Sequence, residues 1–198
     1  MNAPLERVLL STTPHFPRLG MYAVLSDAAH HPPVGEWLAR IISSWLSGGS
    51  ALPAWLGLGS TDFTALMDHY FPGVLIPQIF AQQSPPDPGR DDERQELTAL
   101  LLNHATLEPL EASWLARILA EGSLGKDHLW QDLGLWSRKD LSALLDYGFS
   151  PLAKGNHRDM KWKKFFYKQL CEAAHIRLCR APSCDACIDY EKCFGPEI

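Results

Sequence analysis

The sequence predicts an all-α protein: an internally duplicated helical core followed by an irregular C-terminal cysteine-rich metal-binding loop. Three observations carry this expectation. Apolar residues recur at the three- and four-residue spacing of amphipathic helices, and no stretch alternates convincingly as a strand would. A long block of the first half recurs in the second. All five cysteines lie between Cys171 and Cys193. With 198 residues, 46% of them hydrophobic, and seven Trp, the chain has enough apolar bulk for one domain or two small packed halves.

The duplication is explicit. Trp37-Leu38-Ala39-Arg40-Ile41 recurs 77 residues later as Trp114-Leu115-Ala116-Arg117-Ile118. The same offset carries Gly48 onto Gly125, Leu52 onto Leu129, Leu56-Gly57-Leu58 onto Leu133-Gly134-Leu135, and Ser60 onto Ser137. After one inserted residue, Phe63 through Asp68 faces Leu141 through Asp146. Two copies are too few for a solenoid and suit a pseudo-symmetric core.

The elements follow in order. Residues 1–18 read as a loosely ordered N-terminus. Copy 1 spans 19–80. It opens with a helix near 19–29, then a helix carrying Trp37, Leu38, Ile41, Ile42 and Trp45 that stops at Gly48-Gly49. Ser60 is placed to cap a third helix, whose stripe is Phe63, Leu66, Met67 and Tyr70. Residues 81–92 form a linker, because Pro85, Pro86 and Pro88 disfavour helix and remove amide donors. Copy 2 spans 93–153. Its first helix covers 91–103, with an acidic start that suits the helix dipole. The next carries Trp114, Leu115, Ile118 and Leu119 and is expected to stop at Gly122. Ser137 caps the helix of Leu141, Leu144 and Leu145. The remaining segment, 154–198, combines a basic helix over 158–175 with a compact loop from Cys179 onward.

Charge excludes some classes. The formal net charge is −5, which argues against a general nucleic-acid binder. Residues 154–180 nevertheless hold eight Lys/Arg against Asp159 and Glu172, a local +6 that leaves −11 elsewhere. No apolar run approaches the roughly 18 residues a membrane helix needs. The N-terminus lacks a basic-then-apolar secretory profile, so a cytoplasmic protein is expected. No Ser/His/Asp order, phosphate-binding glycine loop or H-E-x-x-H motif is present, and no acid–base carboxylate pair stands out.

The chemistry concentrates in Cys179-x4-Cys184-x2-Cys187-x5-Cys193. Four thiolates within 15 residues can close around one small inorganic object. The C-x4-C-x2-C portion has the spacing of plant-type ferredoxins. Structural zinc sites more often use two ligand pairs with a dozen or more residues between them. On spacing alone an iron–sulfur cluster leads, with structural zinc and disulfides or uncoordinated thiols as alternatives.

The motif as it stands resembles that of the NifQ family of nitrogen-fixation proteins. The flanking blocks His128-Leu129-Trp130-Gln131-Asp132-Leu133-Gly134-Leu135 and Met160-Lys161-Trp162-Lys163-Lys164-Phe165-Phe166-Tyr167 reinforce the resemblance, as does Cys193-Phe194-Gly195. It covers roughly residue 35 to the C-terminus. The resemblance implies a metal-cluster carrier rather than an enzyme. It implies an iron–sulfur cluster that accommodates molybdenum, drawn from molybdate and passed to the NifEN/NifH machinery for the iron–molybdenum cofactor. Carried over by residue, Cys179, Cys184, Cys187 and Cys193 are the implied cluster ligands. The alternatives are a zinc-stapled helical interaction module and a simple electron-transfer iron–sulfur protein.

Other residues carry competing readings. Cys171 is either a fifth ligand or an apolar filler, the commoner role of a buried cysteine. His128 and Asp132 replace Ala51 and Trp55 of copy 1, so either the imidazole approaches the metal with Asp132 orienting it, or His128 is structural beside a helix cap. His157 and His175 are placed as turn or helix-end residues with a secondary ligand reading. His30-His31, before Pro32-Pro33, is expected in a solvent-facing loop, with metal capture as the minor reading. Lys161, Lys164 and Lys168, with Arg158, Arg177 and Arg180, form a solvated cationic face, a dock for an acidic partner, or an anion attractor for molybdate.

Overall fold

The computed structural model describes residues 17–76, 84–174 and 190–197. Among the described residues every regular element is helical. The first dozen and more residues of the expected loose N-terminus lie outside them, whereas Arg18 already opens the first helix.

Each copy begins with a helical hairpin. In copy 1, α1 (Arg18–Asp27) packs against α2 (Val34–Leu46). In copy 2, α4 (Asp91–Leu102) packs against α5 (Pro109–Ser123). The central helices are the most buried: Leu38, Ile41 and Ile42 of α2, and Ala116, Ile118 and Ala120 of α5, are fully enclosed. Their buried residues run almost around the helix, so one hairpin partner cannot cover them.

The third helix of each copy supplies the missing cover, on the opposite copy. α3 (Ser60–Tyr70) reaches α5 through side-chain bonds at Asp62, His69 and Tyr70, and α7 (Arg138–Gly148) reaches α2. The repeat relationship is visible atom by atom. Arg40 on α2 donates to Asp140 at 2.6 Å, and its counterpart Arg117 on α5 donates to Asp62 on α3. Trp37 meets Tyr147 edge-on at 5.9 Å, and its counterpart Trp114 meets His69 at 5.7 Å. The copies are therefore interleaved around a pseudo-two-fold relation.

Two glycines permit the close approach. Gly57 and Gly134 are repeat equivalents, with φ of 80° and 81°. A Cβ on Gly57 would stand 2.3 Å from Glu121 Cγ, and one on Gly134 would stand 2.6 Å from Ser44 Cβ. Ser44 and Glu121 are themselves repeat equivalents. The left-handed region is open to glycine and costs other residues about 1 kcal/mol or more.

The copies diverge just before these glycines. Copy 1 has a left-handed turn over Ala54–Gly57, with Trp55 and Leu56 at φ of 57° and 55°. Copy 2 has a short right-handed helix there, α6 (Leu129–Leu133). Beyond α7, α8 (Ser150–Gly155) leads to the basic helix α9 (Trp162–Ala173), and α10 (Tyr190–Phe194) lies near the C-terminus.

Several boundaries differ from expectation. Gly122 does not stop α5 but lies inside it, where Leu133 leaves no room for a Cβ. Ser137 caps α7 and accepts from the Asp140 amide, whereas Gly59 holds the cap position of α3 and Ser60 is its first residue. The residue inserted in copy 2 is therefore Trp136. The basic helix begins at Trp162, not at 158. Asn156 binds both the amide and the carbonyl of Met160, each at 2.8 Å, and Asp159 sits at φ 55°, so the chain turns before helix can start. Within the expected linker 81–92, Asp87 accepts from the Gly89 amide, and α4 has begun by Asp91.

The glycine contacts are directly testable. Gly134→Ala should lower the urea-unfolding free energy by about 2–4 kcal/mol, combining backbone strain with overpacking. Gly48→Ala also has positive φ, but its Cβ would meet nothing within 4 Å. It should cost only about 1 kcal/mol in the same measurement.

Candidate metal centre

Helix α9 is positioned by three kinds of contact. Trp162, Phe165 and Phe166 are buried in the common core. Tyr167 donates its hydroxyl to Glu93 on α4, where Arg90 holds that carboxyl below the usual carboxylate range. Lys163 forms an ion pair with the Asp132 carboxylate and donates to the Gly125 carbonyl at 2.9 Å.

Asp132 is thereby accounted for. Its side chain is 3% exposed, and besides Lys163 it accepts from the Asp127 amide at 3.0 Å. Its backbone carbonyl accepts from the Ala51 amide and the Ser50 hydroxyl, both at 2.9 Å. The carboxylate holds α6 to α9 and does not orient His128 as the ligand reading expected. The departure from repeat symmetry at this position is the docking point for the basic helix.

His128 precedes α6, and its amide donates to Gln131 Oε1. Its imidazole has a second neighbour that sequence reasoning missed. Glu197, with a side chain only 4% exposed, lies 3.6 Å from His128 Nδ1 and 3.5 Å from Arg138 Nε. Arg138 also donates to Asp159 Oδ2 at 2.7 Å. One guanidinium thus joins α7, the turn before α9 and the C-terminal tail. Nothing in the spacing of Arg138 or Glu197 advertises this; only the His128 asymmetry marks the place.

The tail carries Cys193. The Lys161 amide donates to the Cys193 carbonyl at 2.8 Å, and Lys161 Nζ donates to the Glu191 carbonyl at 3.1 Å. The Arg158 guanidinium lies 5.4 Å from the centre of the Phe194 ring. Tyr190 and Phe194, four residues apart, stack at 4.5 Å and give the tail a helical turn where irregular chain was expected. Cys193 is half-buried, and with Phe194 it packs against the core.

Of the other predicted ligands, Cys179, Cys184 and Cys187 lie outside the described residues, as do Arg177, Arg180 and His175. Cys171 is half-buried on α9. His157 is exposed, with Nδ1 3.2 Å from the Gly155 carbonyl. It lines a small recess with Arg158, Lys168 and Phe194. Lys164 is exposed on α9, and Lys168 pairs with Glu172 at 3.5 Å. The cationic stripe is thus divided: Lys161 and Arg158 hold the tail, while Lys164 and Lys168 remain on the accessible side.

Among the described residues the protein is all-helical, and residues 190–197 are held by α7, by His128 and by the start of α9 and the turn before it. The NifQ family model matches residues 37–195, and the chain belongs to that family, with a role in nitrogen fixation. It is 41% identical to Protein NifQ of Azotobacter vinelandii over 89% of this chain and 93% of that protein. It is 40% identical to Protein NifQ of Rhodobacter capsulatus over 83% of this chain and 89% of that protein. For Protein NifQ of Klebsiella pneumoniae the values are 36%, 82% and 99%. No solved structure matches the chain. Among the described residues, no helix is long and apolar enough to cross a membrane.

Two outcomes check these contacts. Lys163→Met leaves Asp132 buried without its partner and should cost about 3 kcal/mol in chemical denaturation. The double variant Lys163→Met, Asp132→Leu should recover much of that loss. Arg138→Ala with His128→Ala should speed amide hydrogen exchange over residues 190–197 while α2 and α5 retain native protection.

Proposed function

We propose that this chain is a molybdenum carrier for assembly of the nitrogenase iron–molybdenum cofactor, acting in the cytoplasm and without turnover chemistry of its own. The observation that carries the reading is the anchored position of Cys193, the last cysteine of a C-x4-C-x2-C-x5-C motif, in a tail held by Lys161, Arg158, Arg138 and His128. Cys179, Cys184, Cys187 and Cys193 would hold an iron–sulfur cluster. Thiolates suit such clusters, and the sulfide-rich cluster would supply a soft, electron-rich platform for molybdenum as cargo. The chain's own residues fix one end of the ligand set. Lys161 uses both its amide and its ammonium for this, so the Cys193 backbone is positioned without relying on the metal.

Release requires a metal position that is not closed by strong protein ligands. Cys171, His128 and His157 are the additional donors this reading keeps available as exchange ligands. Asp132 takes no part, because Lys163 occupies it. Lys164 and Lys168 on the accessible side of α9 would meet an acidic surface of the receiving machinery, proposed as NifEN/NifH. Such a contact between exposed charges weakens as salt rises.

Metal and acid-labile sulfide analysis of anaerobically purified protein tests the reading. Iron, sulfide and molybdenum are expected together, with molybdenum transferable to the acceptor. Zinc near one per chain, without labile sulfide after reconstitution, would overturn it in favour of a zinc-stapled module. Iron and sulfide without molybdenum loading would favour simple electron transfer. Cys184→Ala and Cys187→Ala should each abolish cluster retention yet leave most of the helical circular dichroism. Normal iron loading in both would refute the ligand assignment.

A further inference from the structure

A second constellation of ligand-type side chains lies apart from the tail and the elements that hold it. His31 is in the loop before α2, His69 is at the end of α3, and Glu111 is in the first turn of α5. One nitrogen of each imidazole and one carboxylate oxygen all lie within 4.8 Å of one another. His69 Nε2 is 3.0 Å from Glu111 Oε1. The His31 and His69 rings stack at 4.3 Å, with 2° between their planes.

We propose that His31, His69 and Glu111 bind a divalent first-row transition-metal ion, with at least one coordination position left open to solvent. Two imidazoles and one carboxylate form a donor set suited to zinc or ferrous iron. Ligand atoms about 2.0–2.1 Å from a tetrahedral zinc stand about 3.3 Å apart, close to the separation already present between His69 and Glu111. The parallel rings do not yet aim their lone pairs at one point. His31 is exposed, with its ring stacked on His69 and edge-on to Tyr70 at 6.0 Å, so ligation requires the ring to turn out of the stack.

The backbone around the three residues is fixed. The His30 amide donates to the Tyr70 carbonyl at 2.7 Å, and the His31 carbonyl accepts from the Gly35 amide at 3.2 Å. His31 adopts φ 54°, an uncommon conformation for a side-chain-bearing residue. Tyr70 donates its hydroxyl to Glu111 Oε1 at 2.9 Å, and His69 stands edge-on to Trp114 at 5.7 Å. Such outer contacts orient metal ligands and tune their affinity.

Repeat symmetry sharpens the point. The edge-on ring contact against the central tryptophan is kept in both halves, as His69 on Trp114 and Tyr147 on Trp37. The equivalents of His31, His69 and Glu111 are Glu108, Tyr147 and Val34, which cannot supply two imidazoles and a carboxylate. Packing alone is therefore satisfied without this donor set.

Cobalt(II) titration of the anaerobic full-length chain separates this site from the cysteines. Thiolate ligation gives an intense sulfur-to-metal charge-transfer band, whereas nitrogen and oxygen donors give only weak visible bands. Saturating the cysteines first with an alkylating reagent removes the former. The alkylated wild-type chain should then bind one Co2+ with the weak-band signature, and Zn2+ or Fe2+ in competition identifies the preferred ion. His31→Asn retains a residue tolerant of positive φ, and Glu111→Gln retains an acceptor for Tyr70. Each should weaken binding by more than about 100-fold. Each should also lose the metal-dependent rise in melting temperature while keeping the metal-free value. Absence of a nitrogen- and oxygen-ligated ion in the wild type would overturn the proposal, as would wild-type affinity in both variants. Neither result bears on iron and molybdenum at the cysteine motif.

Discussion

Burial of the two central helices, α2 and α5, is the constraint from which the architecture follows. Each is buried around most of its circumference, and each is left incomplete by its own hairpin. Part of the remaining cover comes from the other copy, through α7 and α3. That exchange demands close backbone approach at Gly57 and Gly134 and gives Arg40 and Arg117 their carboxylate partners across the divide. Neither Arg–Asp pair is deeply enclosed, so their energetic weight is modest. Their value lies in register, because each joins a central helix to a helix of the other copy.

The departures from symmetry are local and serve the C-terminal region. Where copy 1 makes a left-handed turn over Ala54–Gly57, copy 2 forms α6 and buries Asp132. That carboxylate receives Lys163 and so fixes α9 against copy 2. Once α9 is fixed, Lys161 stands at its start with both its amide and its ammonium directed to the tail. Arg138 and His128 hold Glu197 at the tail's far end. A symmetrical core thus presents one modified edge, and the cysteine-bearing terminus is bound there.

The fold class was legible because duplication and helical periodicity are properties of short stretches. Trp37, Leu38 and Ile41 announce a buried helix wherever the rest of the chain lies. Exchange between copies was not legible, since Arg40 and Asp140 are distant in sequence and neither is unusual alone. Gly122 was misread because a glycine near a helix end looks like a terminator, while its true reason is the Leu133 side chain from another element. The start of α9 was misplaced because Asn156 binds Met160 at both backbone groups, a capture that spacing does not encode. At the site, the cysteines and the asymmetry at His128 and Asp132 were evident. The partners Glu197, Arg138 and Lys163 were not, since each acquires its role only after folding brings distant charges together.

Interleaving also sets an order of events during synthesis. The Arg40–Asp140 contact spans 100 residues of chain. As the polypeptide emerges, α2 is complete long before α7 exists to cover it, and α3 appears before α5. Among the described residues of copy 1 none takes the place of α7, so copy 1 leaves the ribosome with part of α2 uncovered. Contacts of this separation close slowly, and exposed apolar surface invites association with other chains. Duplication of a helical unit has here produced a protein whose first half depends on its second, and the nascent chain must be protected until the second half arrives.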